Sequence, residues 1–248
     1  MSDIVMAAAL FGWIALVFVL ERLFAAEAPP TDNGTRIARN VGLGVIAMTA
    51  APLLLWLTGR ISTGFSPIIP LAALGAAGAL IVQLLILDIW TYAMHRAYHR
   101  VPLLWRFHAP HHLDEHLDAS SAFRFHLGEI LISAAARLIP ALIFGIGPAT
   151  LLLFEAILTA NAVFHHSNIR LPARFERALS WIVVTPAIHW RHHHALRADT
   201  DSNYTAILSI WDRLFGSANP RPRELGMAIG VEGERERSFA GLLAYPFR

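Results

Sequence analysis

Long apolar runs separated by short polar segments dominate the first third of the chain. Residues 4–20 form an uninterrupted apolar run, and further runs cover residues 41–57 and 68–87, each with one proline inside. A helix needs about 20 apolar residues to cross the hydrocarbon core of a bilayer. The pattern therefore predicts three transmembrane helices within residues 1–87.

A different pattern covers residues 130–164. Two apolar arms of roughly 15 residues flank the turn signal at residues 145–148, so we expect a helical hairpin that enters the membrane and returns to the same side. Arg137 and Glu155 are each nine residues from Ile146, and antiparallel arms would place them at one depth as an ion pair. A separation above about 10 Å would contradict the hairpin.

The remaining segments complete an all-α, polytopic membrane protein. Residues 165–248 are polar and rich in Pro and Arg, which predicts a cytoplasmic cap, so that residues 88–248 form the catalytic region. The arginines follow the positive-inside pattern, with the N-terminus outside and everything after residue 94 in the cytoplasm. Residues 1–3 are acidic and lack the features of a secretory signal, so we expect the first run to remain in the mature protein.

Composition supports the membrane class and narrows the chemistry. The chain is 55% apolar and 15% charged, a balance too hydrophobic for an ordinary soluble domain of its size. Its formal charge is only +2, and its aromatic residues sit inside apolar runs, so we expect no nucleic-acid partner. Because the chain has no cysteine, any metal it binds must use nitrogen and oxygen ligands.

All 13 histidines lie between residues 95 and 194, and most of them form three short boxes. Positions three and four apart share one face of a helix, so each box can aim its imidazoles at one point. Three such helices would supply eight nitrogens, which suits two first-row metal ions. The boxes are His95 and His99; His108, His111 and His112; and His189, His192 and His193. His116, His126 and His194 fit the spacing less well, and we expect a solvated or supporting role for His116 and His194.

The first box continues a stripe that begins inside the third apolar run. Asp88, Tyr92, His95 and His99 are separated by four, three and four residues, so the third span is expected to run directly into the site. Asp88 near the membrane boundary would be costly unless it has a partner. Two partners are possible: a metal-bound histidine that donates its other ring N–H, or headgroup water.

Two other functions compete with a bimetallic enzyme. His112, Glu115 and His116 match the H-x-x-E-H signature of inverted zinc proteases, in which the glutamate is the general base. That hypothesis leaves the other boxes unused. A metal transporter is the third, but its ligands should lie near the bilayer midplane on the spans, where this chain has no histidine.

The histidine boxes and their flanks resemble the fatty acid hydroxylase superfamily, also called the sterol desaturase family. The resemblance spans about residues 85–217, whereas the earlier residues contribute little more than hydropathy. It is carried by the segments DIWTYAMHRAYH (88–99), WRFHAPHH (105–112), FRFHLGE (123–129), HSNIRLP (166–172) and NYTAILSIWDRLFG (203–216).

The resemblance implies a non-haem centre of two iron ions, O₂ as oxidant, a lipid substrate and a separate electron-donor protein. The expected reaction is hydroxylation or desaturation of a C–H bond in a fatty acyl chain or sterol. Carried over by position, the metal ligands are His95, His99, His108, His111, His112, His166, His189, His192 and His193. His165 has no counterpart and is expected to pack, while the role of His126 stays open.

Overall fold

The computed structural model describes residues 3–248; Met1 and Ser2, part of the acidic N-terminal segment, lie outside the described residues. Within that range the chain is helical, with isolated β-bridges but no strand, so the all-α prediction is confirmed. The helices are α1 (Asp3–Leu23), α2 (Asn33–Ser62), α3 (Gly75–Arg100), α4 (Pro102–His112), α5 (Leu127–Phe144), α6 (Pro148–His166), α7 (Ala173–Leu179), α8 (Pro186–His192), α9 (Arg197–Thr200), α10 (Ile210–Leu214) and α11 (Phe239–Ala244).

Among the described residues, five helices are long and apolar enough to cross a membrane: α1, α2, α3, α5 and α6. The three predicted spans are present with different bounds. Helix α2 is 30 residues long and begins well before residue 41. Helix α3 begins at Gly75 instead of residue 68. Pro70 disfavours a helical conformation in the residue before it, and Gly75, with φ 66°, separates a short 3-10 helix at Ala72–Leu74 from α3.

The predicted hairpin consists of α5 and α6, whose 18 and 19 residues exceed the expected arms. Gly145 ends α5 in the left-handed conformation with φ 65°, which glycine adopts without a Cβ clash. Pro148 opens α6 at a position that needs no amide donor. Arg137 Nη1 donates to Glu155 Oε2 at 2.8 Å, so the predicted ion pair is confirmed.

Helix α3 continues without a break to Arg100, which confirms the stripe that leads into the first histidine box. A single extended residue, Val101, separates it from α4, and Pro102 starts the new helix. Because the connection is so short, α4 turns back against the end of α3. The first two boxes are thereby brought face to face.

Asp88 has neither of the partners expected for it. Its Oδ2 accepts hydrogen bonds from Trp211 Nε1 at 2.8 Å and from the Leu208 amide at 3.2 Å, and the residue is 3% exposed. Both expectations, a metal-bound histidine and headgroup water, were therefore wrong. The reason is that the segment leading into α10, together with the first turn of α10, folds back across the middle of α3 and brings in donors about 120 residues away in sequence.

A buried polar network attaches α2 to the loop that follows α4. Arg36 donates through Nη1 to Asp114 Oδ2 at 2.9 Å and pairs through Nη2 with Asp118. Asn40 Nδ2 also donates to Asp114 Oδ2, at 2.9 Å. Burial alone would raise the pKa of Asp114, but the charges of Arg124 and Arg36 outweigh it and leave this pKa below its usual range. The network fixes the C-terminal end of α4, where the second histidine box lies.

Candidate metal centre

The last turns of α3, α4, α6 and α8 converge and carry the histidines into one region. All nine histidines predicted as ligands lie there, in two groups whose ring nitrogens are each within 4.8 Å of one another. The carboxyl end of a helix carries partial negative charge, so four such ends together favour cations. The five-histidine group is His95, His99, His108, His112 and His192; the four-histidine group is His111, His166, His189 and His193.

Within the five-histidine group the Nε2 atoms point at one another. The Nε2 atom of His95 lies 3.1 Å from the Nε2 atoms of both His108 and His192. The Nε2 atom of His112 is likewise 3.1 Å from that of His108. The His99 ring centroid lies 4.8 Å from that of His112, which places the fifth imidazole against the same centre.

The four-histidine group has the same arrangement. The Nε2 atom of His166 lies 3.2 Å from His111 Nε2 and 2.9 Å from His189 Nε2. The Nε2 atom of His193 is 3.1 Å from His189 Nε2. The rings of His112 and His193 stack at 4.2 Å, so the two groups adjoin.

Backbone carbonyls fix the proton position in four of these rings. A carbonyl oxygen can only accept, so an Nδ1 atom bonded to it must carry the proton, which leaves the lone pair on Nε2. The four bonds run from Nδ1 of His95 to Tyr204 O at 2.7 Å, of His192 to Ser202 O at 2.6 Å, of His111 to Arg124 O at 3.2 Å, and of His166 to Ala162 O at 2.8 Å.

These tautomers place lone pairs against each other in both groups. His95 and His192 face each other through Nε2 at 3.1 Å, and His111 faces His166 in the same way at 3.2 Å. Neither member of a pair can donate to the other. Burial lowers the pKa of His111 and of His192 well below the usual range, so protonation does not resolve the conflict. A cation between the nitrogens does, because neutral imidazole is a good ligand for first-row metals. Each group could therefore hold a metal ion.

Two side chains that the sequence left without a role support the five-histidine group. Glu129 Oε1 lies 2.9 Å from His108 Nδ1 and orients that ring. The indole of Trp105 covers the rings of His99 and His112, with centroid distances of 5.1 and 5.4 Å. Glu129 lies in the motif segment FRFHLGE (123–129), but its partner is set only by the packing of α4 against α5.

The loop that supplies two of the orienting carbonyls is held by a buried carboxylate. Asp212 accepts from the amides of Tyr204 at 2.8 Å and Thr205 at 2.9 Å. Asn203, between Ser202 and Tyr204, adopts the left-handed conformation with φ 53°, which asparagine tolerates better than most residues. Asp212 thus sets the direction of the carbonyls that hold His192 and His95.

The other histidines have separate environments. His126 caps α5, accepting from the Gly128 amide at 2.9 Å, and its Nε2 donates to Leu243 O at 3.1 Å, which gives it a structural role. His165 lies outside both groups, and its ring centroid is 3.9 Å from that of His189. This packing position agrees with the expectation for His165.

His116 and His194 differ from each other. His116 is buried against the ring of Trp190 and belongs to neither group, so it is not solvated. His194 Nδ1 lies 2.7 Å from Asp199 Oδ2, and the same oxygen accepts from Arg191 at 3.0 Å. His194 therefore belongs to a network of charged groups, with Asp199 and Arg191, at the C-terminal end of α8.

The geometry does not favour the zinc-protease alternative. Helix α4 ends at His112, so Glu115 and His116 follow in a non-helical loop and share no face with it. Glu115 accepts from the Glu236 amide at 3.0 Å on the exposed surface. In the described part of the chain, neither Glu115 nor His116 belongs to a group that could hold a metal.

An apolar cavity of about 380 Å³ opens beside the two groups. Its walls come mainly from α1, α2, α3, α5 and α6, the five membrane-type helices. At one end it reaches the rings of His95, His108, His111, His166 and His189.

Comparison with known proteins gives a consistent family. The fatty acid hydroxylase family model matches residues 80–217, more than half of the chain. An ornithine lipid hydroxylase from Rhizobium tropici is 32% identical over 167 residues, which cover 67% of this chain and 50% of the relative. An alkylglycerol monooxygenase from Danio rerio is 31% identical over 138 residues, covering 54% and 29%, respectively.

A third relative, a very-long-chain aldehyde decarbonylase from Oryza sativa subsp. indica, is 28% identical over 142 residues, covering 56% of this chain and 54% of the relative. The chain thus spans about half or less of the length of these relatives. No solved structure matches. The matched residues 80–217 contain every histidine of both groups. The chain belongs to the fatty acid hydroxylase family, and it is an integral membrane protein with a histidine-rich centre at the ends of its spans.

Proposed function

We propose that the chain is an O₂-dependent oxidoreductase that hydroxylates or desaturates a C–H bond of a membrane lipid, with two iron ions held by the nine histidines. The observation that carries the proposal is that two groups of imidazoles lie beside an apolar cavity whose walls are membrane-type helices. The names of two relatives, a lipid hydroxylase and an alkylglycerol monooxygenase, support oxidation of a lipid.

The donor set suits iron. All nine ligands are neutral imidazole nitrogens, which first-row divalent ions accept readily. When bound, the two irons would supply the reduction of O₂ and the removal of hydrogen from an unactivated carbon, chemistry that side chains alone do not provide.

The chain's own residues prepare that chemistry. The carbonyls of Tyr204 and Ser202 hold two rings in the tautomer that presents Nε2, and Glu129 orients a third. Trp105 covers one face of the five-histidine group. The apolar cavity admits an alkyl chain and excludes bulk water from the reacting carbon.

The electron supply and the side of the membrane complete the proposal. Electrons come from a separate donor protein, as the resemblance implies. The site faces the cytoplasm, because the connection between α1 and α2 is flanked by Arg22, Arg36 and Arg39, and Arg96, Arg100 and Arg106 lie at or just after the end of α3, whereas Arg60 alone lies near the connection between α2 and α3.

The proposal is tested by metal analysis and lipid chemistry on the same preparation. The full-length protein, purified in detergent without added metal, should contain close to two irons per chain. A host that produces it should accumulate an oxidised lipid that incorporates label from isotopically labelled O₂ where the product is hydroxylated. A preparation that binds iron but leaves every host lipid unchanged would contradict the assigned reaction.

His192→Ala removes a ligand of the five-histidine group and the Nε2 partner of His95. We expect loss of metal from that group and loss of lipid oxidation. His116→Gln is the matched control: His116 is also buried but belongs to neither group, so metal content and activity should stay. Full activity in His192→Ala would contradict the proposed metal centre. Activity that depends on Glu115 and His116, in a protein that holds a single zinc ion, would favour the protease instead.

A further inference from the structure

The ion pair between Arg137 and Glu155 lies in the wall of the cavity. The two residues sit near the middle of α5 and α6, so their charges are held deep among membrane-type helices. Charges at such depth are costly and usually mark a functional path. The pair therefore calls for an explanation beyond joining the two arms of the hairpin.

The pair leaves much of its hydrogen-bonding capacity unused. A guanidinium has five N–H donors, yet among the described residues Arg137 makes one hydrogen bond, from Nη1 to Glu155 Oε2. Glu155 uses only Oε2, and its side chain is 31% exposed. Donors and acceptors that face an apolar space without partners carry a desolvation cost. A purely alkyl ligand in this cavity would leave that cost unrelieved.

The charge balance of the pair selects the chemistry of its ligand. Arg137 and Glu155 together are neutral, so a carboxylate or phosphate placed beside them would remain an uncompensated charge in a low-dielectric space. A hydroxyl or an amide can accept from Arg137 and donate to Glu155 at the same time. The site thus fits a neutral hydrogen-bonding group.

The spacing along α5 gives a distance to the reaction centre. Arg137 lies eight residues after Glu129, which contacts His108. At about 1.5 Å of rise per residue the separation along the helix is about 12 Å. An extended alkyl chain zigzags, so its bonds of about 1.5 Å each advance it by only about 1.25 Å, and it covers that distance in roughly ten bonds.

We infer that the Arg137–Glu155 pair binds a hydroxyl or amide group of the lipid substrate, roughly ten bonds from the carbon that is oxidised. The pair thereby holds one end of the substrate while the chain extends along the cavity to the histidines. Such an anchor sets which carbon reaches the metal centre. The inference rests on the proposed function for the identity of the ligand as a substrate, but binding itself can be measured without it.

The test uses the full-length protein in detergent, without O₂ chemistry. Binding of dodecanol and of dodecane is followed by fluorescence of the tryptophans, of which Trp90 lines the cavity. Wild type is compared with the double variant Arg137→Met with Glu155→Leu. For each protein, the affinity for dodecanol is divided by the affinity for dodecane. Comparing this ratio between wild type and the double variant cancels the unequal partition of the two ligands into detergent. We expect a preference for dodecanol about tenfold larger in wild type, the usual value of a hydrogen bond to a charged group.

The controls separate the pair from general effects. The variant Arg237→Met with Glu234→Leu removes an ion pair that does not line the cavity, and its preference for dodecanol should equal that of wild type. Replacing a buried ion pair by apolar residues is often tolerated, and Arg137→Lys, which keeps the charge but loses the forked donors, provides a second variant with an intermediate preference expected.

Equal ratios in wild type and the double variant would overturn the inference, as would tighter binding of dodecanoate than of dodecanol to wild type. These outcomes are independent of the proposed function. If the wild type prefers dodecanol but oxidises no lipid, the proposed reaction is contradicted and the binding site is supported. If the wild type oxidises lipid but shows no preference for dodecanol, the binding site is contradicted and the proposed reaction is supported.

Discussion

Asp212 acts on the histidine groups through the backbone. Its carboxylate accepts from two consecutive amides in the loop whose carbonyls hold His95 and His192, and from the Ser217 hydroxyl at 2.7 Å. The residue is 3% exposed, so its charge is stabilised by those donors and not by water. A change at Asp212 therefore reaches the imidazoles although no ring touches it.

Asp212→Ala should lower metal affinity by about tenfold or more, because groups that orient ligand histidines commonly contribute 10- to 100-fold. Metal retention against a competing chelator measures this directly. Asp212→Asn keeps one oxygen acceptor and should lose less. Equal metal affinity in all three proteins would show that the loop holds its carbonyls without the carboxylate.

Close helix contacts place the elements around the site. An added Cβ at Gly59 of α2 would lie 2.4 Å from the Pro148 nitrogen and 2.6 Å from its Cα, at the first turn of α6. An added Cβ at Gly44 would lie 2.7 Å from that of Phe123. Small residues at such contacts let membrane helices approach closely. Helix α2 thus holds the hairpin against the rest of the bundle.

Gly59→Ala should therefore destabilise the protein by about 1–3 kcal/mol, the usual cost of overpacking. Gly12→Ala is the matched control, since a Cβ at Gly12 of α1 meets no atom within 4 Å. There the better helix propensity of alanine should make the change neutral or stabilising. Thermal unfolding in detergent compares the two, and equal midpoints would mean that α2 and α6 can separate without cost.

The whole molecule encloses its histidines and keeps them neutral. Burial lowers the pKa of His108 to about 3 and that of His192 well below its usual range. The unfolded chain titrates its histidines near about pH 6.5. Between these values the unfolded state binds more protons than the folded state, so stability falls as the pH decreases below about 6.5.

Metal-free protein should accordingly unfold more easily at about pH 5.5 than at about pH 7.5, with each buried ring contributing up to about 1.4 kcal/mol per pH unit. Unfolding midpoints across this range measure the slope. His108→Gln removes one such group and should reduce the slope. A midpoint independent of pH would contradict the buried, neutral state of the cluster.

Hydropathy and helical spacing determined the class of the protein and eight of the nine histidines in the two groups. The length of the apolar runs predicts membrane helices, and the recurrence of histidines three and four residues apart predicts three helical faces, because both depend only on local geometry. The pairing of Arg137 with Glu155 also followed from the sequence, since a tight turn fixes which residues of two arms lie at one depth. The ninth histidine, His166, came from the resemblance alone, because no box contains it.

The tertiary structure alone decided how the nine imidazoles divide and what orients them. The five- and four-histidine groups mix residues from different boxes, so His111 and His112, adjacent in the chain, belong to different groups. The orienting carbonyls of Tyr204 and Ser202 leave no trace in residue identity, because every residue has one. Asp88 found its donors in a segment 120 residues away. Such contacts depend on where separate elements pack, which local sequence does not encode.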